Sequence, residues 1–89
     1  MKAVITVTGK DKVGIIAFVS DKCREYGANI VDISQTVMKD YFAMIMLVEL
    51  EGLKSDFSEF SQQMSKTGAE HGVDIRVMHE DIFNSMHRI

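Results

Sequence analysis

The stretch "TVTGKDKVGIIA", residues 6 to 17, changes its period midway. Up to Thr8 the chain alternates: Ala3, Ile5 and Val7 point one way, and Val4, Thr6 and Thr8 the other. That is the period of a strand with one apolar face, over residues 2 to 8. Beyond Gly14 the spacing becomes three and four. Ile15, Ile16, Val19, Cys23 and Tyr26 make one stripe, which predicts a helix over residues 12 to 26. Asp11 has the chemistry of its N-cap, and Gly27 stands where a left-handed C-terminal glycine belongs. The six residues "GKDKVG" therefore join a strand to a helix.

Outward from this unit the periods continue to switch. Residues 28 to 38 alternate again, with Val31, Ile33 and Val37 on one face and Ile30, Asp32, Ser34, Thr36 and Met38 on the other. Lys39-Asp40 turns the chain into a third strand, "YFAMIMLVEL", residues 41 to 50. Up to Val48 that strand is apolar on both faces: either it is central and covered on both sides, or a partner covers one side. Phe57, Phe60 and Met64 stripe a second helix over residues 56 to 71, capped by Ser55 or Asp56 and ended by Gly72. Val73, Ile75 and Val77 alternate in a fourth strand. Ile82, Phe83, Met86 and Ile89 share one side of a short tail helix.

The order β-α-β-β-α-β is that of a ferredoxin-like α+β sandwich. Right-handed crossovers give an antiparallel sheet in the order 4-1-3-2 with both helices on one face. One such unit fills the 89 residues, so a single domain is expected over 1–89, with a core at 1–79 and a tail helix at 80–89.

Composition narrows the function classes. The net charge is −3 and no Lys/Arg cluster stands out, which argues against a nucleic-acid backbone as partner. Cys23 is the one cysteine, so no internal disulfide forms. The start "MKAVITV" is too short an apolar run for a secretory signal, and no stretch reaches a membrane span of about 20 apolar residues. The expectation is a cytoplasmic protein without a membrane partner.

Few residues carry chemistry. Backbone N–H groups from Lys12 to Ile15 would face outward at the start of the first helix, a setting suited to a carboxylate or phosphate. Gly14 lets a ligand come close to the backbone. Asn29 and Asp32 could meet an amine, or serve only as a turn residue and a solvated edge residue. His71, His79 and His87 have no metal-ligand spacing, so no metal is expected. Cys23 falls in the helix stripe and reads as a small hydrophobe. Met38, Met44, Met46 and Met78 are expected on the open sheet face, as an adaptable protein surface.

With "TGKDKVGIIAFVSDKCREYGANIVDISQTVM" in view, residues 4 to 38 resemble the first half of an ACT domain. The pair "G-x-D-x-x-G" and "G-A-N-I-x-D" carries the resemblance, and the element order extends it over residues 1 to 79. The chain is most similar to small free-standing ACT proteins, whose ending the tail "DIFNSMHRI" resembles, and to the ACT modules of glycine-cleavage repressors. The resemblance implies a regulatory module that binds an amino acid between subunits of a dimer or larger assembly. Carried over, it implicates Asp11, Lys12, Val13, Gly14 and Ile15, with Asn29 and Ile30 nearby. No enzyme or DNA-binding domain accompanies the module here, so its output would pass through assembly or a regulated protein partner.

Rival readings fare worse. An acylphosphatase needs an arginine on this loop, and "GKDKVGII" has none. An RNA-binding sheet needs aromatics on its central strands, and strand 1 has none. A metal chaperone needs C-x-x-C. The sequence thus predicts a non-enzymatic module without cofactor, and the alternative is an interaction module with no small-molecule ligand. The edge position of strand 2 predicts a homodimer with that strand near the interface.

Overall fold

A computed structural model describes residues 1–10 and 14–86. The expectations that fall on Asp11, Lys12, Val13, His87 and Ile89 lie outside the described residues. The elements are β1 (Lys2–Lys10), α1 (Ile15–Tyr26), β2 (Asn29–Met38), β3 (Tyr41–Glu49), α2 (Phe57–Glu70), β4 (Val73–His79) and α3 (Glu80–Met86). The four strands form one sheet in the order β2-β3-β1-β4, the predicted order, and every neighbouring pair is antiparallel.

Register decides which side chains share a face. Ile5 lies opposite Met46 and Val77, and Val7 opposite Met44 and Ile75. These rows meet Ile15, Val19 and Cys23 of α1 and Phe60 and Met64 of α2 in one buried cluster. Met44 and Met46 are therefore core residues, not surface residues of the open face. The sequence expectation erred because β3 is apolar at every position from Tyr41 to Val48, so its own period names no face. Only its pairing with the alternating β1 does.

The ends of α1 differ from each other. At the C-terminus Gly27 has φ +80°, the Ala28 N–H donates to the Cys23 carbonyl (2.8 Å) and the Gly27 N–H to the Arg24 carbonyl (3.2 Å). This is a Schellman motif, and it needs a residue free of the left-handed penalty. At the N-terminus the helix starts at Ile15. The cap is Gly14, at φ +87°, and among the described residues no side chain caps it. The helix begins three residues later than the expected start at residue 12. In α2 the Asp56 carboxylate accepts from the Glu59 N–H at 2.7 Å, so Asp56 rather than Ser55 is the cap.

Gly68, inside α2, allows a close approach. A Cβ there would sit 2.7 Å from Ile75 Cγ1 and 2.9 Å from the Val73 carbonyl. The helix lies almost directly on β4. On the second face of the sheet Val4 is buried, and α3 packs against β1 and β4. Since α1 and α2 occupy the first face, α3 is the described element left to cover Val4. Among the described residues no helix is long and apolar enough to cross a membrane.

β2 departs from simple alternation. Ile30 opposes Val48 and Asp32 opposes Leu47, so Val31 is the extra residue of a β-bulge. The bulge shifts the period by one. Ile30, Ile33, Gln35 and Val37 then share the helix side of the sheet, and Asp32, Ser34, Thr36 and Met38 the other. The sequence expectation had set Ile30 opposite to Ile33 and grouped Val31 with it.

Candidate functional site

A cleft of about 500 Å³ opens where α1 begins, lined by Gly14, Ile15, Ile16, Ala17, Gln35, Val37 and Phe42. Two local features build it. Gly14 turns the chain into α1 without a side chain over the first turn, and none of the described residues lies within 4 Å of where its Cβ would be. Across from it, the C-terminal half of β2 runs along the sheet edge beyond the cover of either helix. Val37 is 53% exposed and Ile33 37% exposed, although both stand on the helix side.

The donors at the start of α1 face no intrahelical acceptor. The Phe18 N–H already bonds to the Gly14 carbonyl at 3.1 Å. That leaves the N–H groups of Ile15, Ile16 and Ala17, which by helix geometry come before any carbonyl they could reach. The sequence expectation put these donors at Lys12 to Ile15; the later helix start moves them to Ile15, Ile16 and Ala17. With the positive end of the helix dipole behind them, they suit an anionic group. Ile16 is 38% exposed and lines the cleft, so it is not a core-stripe residue as its spacing had suggested.

Gly14 and Ile15 thus lie at the cleft as expected. Asn29 and Ile30 do not. They begin β2, and eight residues separate Asn29 from Val37, which is about 25 Å of strand. Asn29 instead donates its Nδ2–H to Glu49 Oε1 at 3.1 Å. A carboxylate only accepts, so this contact fixes which end of the amide faces Glu49. Ala17, Gln35, Val37 and Phe42 were not singled out in the sequence. The signal was Gln35, the one polar residue between Ile33 and Val37 in an otherwise apolar row.

A smaller hollow of about 190 Å³ lies at the same end of the sheet, among Thr8, Thr36, Met38, Tyr41 and Ala43 of the second face. Other reactive side chains are absorbed by packing. Cys23 is buried, and burial pushes its thiol up to about 11. The His71 ring stacks on Phe18 and the His79 ring on Phe57, each with centroids 4.0 Å apart. These contacts tie α2 to α1 and β4 to α2. Among the described residues no three His, Cys, Asp or Glu side chains gather as a metal site would require.

Comparison with known proteins is consistent along the whole chain. Residues 2–78 match the model of the ACT domain. A UPF0237 protein of Methanococcus maripaludis is 55% identical over 86 residues, 97% of this chain and 96% of that protein. An ACT domain protein from Streptococcus pneumoniae superposes with a TM-score of 0.82 at 45% identity, covering 98% of both chains. A protein given provisionally as a glycine cleavage system transcriptional repressor superposes with a TM-score of 0.75 at 25% identity, over 86% of this chain and 44% of that one.

Proposed function

The chain belongs to the ACT-domain family, and from that premise we propose that it is a non-catalytic sensor of an amino acid that works in the cytoplasm as a homodimer. ACT domains are regulatory modules that commonly bind amino acids and oligomerise. The observation that carries the reading is the cleft at the start of α1, where three N–H donors with no acceptor among the described residues meet an exposed apolar wall. Those donors receive the α-carboxylate. Asp11, Lys12 and Val13 belong to the same loop in the sequence and are proposed to border the ligand.

The distance between Asn29 and the cleft supports a two-chain site. Were β2 to pair antiparallel with its own two-fold copy, centred near Ser34, the Asn29 end of one strand would run to the Val37 end of the other. Asn29 and Ile30 would then come from the partner subunit. Ligand binding would be coupled to association, and assembly or a regulated protein partner would carry the signal.

Thermal denaturation against each of the twenty amino acids tests the reading. A ligand at 100 times its dissociation constant adds about 2.7 kcal/mol. Sedimentation at micromolar concentration is expected to show a dimer; a monomer unchanged by any amino acid refutes the sensor. One observation favours the other reading, an interaction module without ligand: Tyr41 and Ile45 stand exposed on the second face. In that case no amino acid shifts the melting curve.

A further inference from the structure

We infer that α3 is a detachable strap: it leaves the sheet as one unit, hinged between His79 and Glu80, and uncovers Val4 while the rest of the fold stays intact. The inference does not depend on the sensing role. By register Val4 lies opposite Leu47 and Met78 on the second face. Along β3 the same face continues with Ile45 and Tyr41, both exposed, whereas Val4 is only 4% exposed. The strap therefore decides how far the exposed apolar strip reaches over the sheet.

The manner of attachment carries the argument. The core helices insert side chains that water does not reach: Ile15, Val19 and Cys23 from α1, Phe60 and Met64 from α2. In Glu80–Met86 no residue is buried, and Ile82 and Met86 are exposed. Phe83 is the half-buried apolar residue of α3. Little apolar area is therefore returned to water when α3 leaves. A hollow of about 160 Å³ among Met1, Lys2, His79, Glu80 and Asp81 separates its first turn from close packing on β1. The helix has only 7 residues. Isolated helices shorter than about 12–15 residues are marginal in water, so α3 persists only while docked. Undocking and unwinding thus occur together, which makes α3 one cooperative unit. The other side of the hinge is firm. His79 pairs with Ala3 in the sheet, and its ring stacks on Phe57 of α2. Opening stops there and leaves β4 in place.

Hydrogen exchange on the intact chain reads the opening. The amides of Asn84, Ser85 and Met86 find their carbonyl partners inside α3 by helix geometry. They are expected to exchange together, roughly 100-fold or more faster than those of Ile5 and Val7, and with little dependence on urea. Exposure of the sheet is read by labelling the new thiol in Val4→Cys with iodoacetamide, with buried Cys23 as internal reference. The new thiol is expected to react at least about tenfold faster than Cys23. Adding Phe83→Ala is expected to raise its rate severalfold and leave the rate at Cys23 unchanged. If the α3 amides exchange no faster than those of Ile5 and Val7, α3 is a fixed part of the fold and the inference is overturned. If they exchange fast but the new thiol reacts no faster than Cys23, α3 frays without uncovering Val4, and the inference is overturned as well.

Discussion

The two halves of the sheet are built to different standards of closure. β1 and β4 are covered on one face by the helix layer, with Gly68 letting α2 lie almost on β4, and on the other by α3 near Val4. Ile5, Val7 and Ile75 have no appreciable contact with water. β2 has cover on neither side of its C-terminal half. Ile33, Val37 and Met38 are all exposed, on both faces of one strand. A small domain buries what it can of its apolar surface. The half that departs from this rule is the half with the cleft, so the stability of the protein and its proposed binding surface are drawn from different strands.

The strongest test of this division compares a residue from each half. Phe60→Ala is expected to cost about 3–5 kcal/mol, because it empties a fully buried position in the helix layer. Val37→Thr is expected to change stability by less than about 0.5 kcal/mol. Urea denaturation of dilute protein measures both. Comparable losses would show that β2 is as structural as β1, and the division would fail.

Cys23 sharpens the sealed side. Burial lifts its thiol from the ordinary 9.0 to about 11. Between these values the unfolded chain has lost the proton and the folded chain keeps it. Stability linked to Cys23 is thus complete below pH 9 and falls as the pH rises towards 11, by up to roughly 3 kcal/mol. The Cys23→Ala variant should lose that slope, and the parent thiol should resist modification at pH 8. Rapid labelling of native protein would place Cys23 outside the closed layer.

Gly14 probes the open side. Its Cβ would meet nothing, so Gly14→Val costs only the left-handed strain, about 1–2 kcal/mol, and leaves a folded protein. The side chain would stand over the start of α1, and amino-acid binding should be abolished. Undiminished binding would move the site elsewhere. A smaller effect than that of Gly14→Val belongs to the β2–β3 turn, where Lys39 holds φ +53° without being glycine. Lys39→Gly should raise stability by about 0.5–1 kcal/mol in thermal denaturation, with no change in the cleft.

What the sequence made legible follows the same division. Wherever one face was apolar and the other polar, as in β1 and α2, the period alone set element and orientation. Gly27 and Gly72 marked helix ends because a positive φ restricts the residue that can stand there. β3 was recognised as central but not oriented, since Tyr41 to Val48 offers two apolar faces. The bulge at Val31 left no local signal, because an extra residue is defined only against the partner strand. Half of the candidate site was legible. The loop announced itself through Gly9 and Gly14, whereas Ile16, Val37 and Phe42 become a wall only when α1, β2 and β3 are set side by side.

That bulge also bears on what the exposed edge will accept. A flat edge strand is a template for any extended segment, and exposed sheet edges are where misassembly and fibril growth begin. Val31 breaks the even spacing of donors and acceptors near one end of β2, so a foreign strand laid along it falls out of step after a few residues. The bulge thus restricts which extended segments the open edge of β2 can pair with.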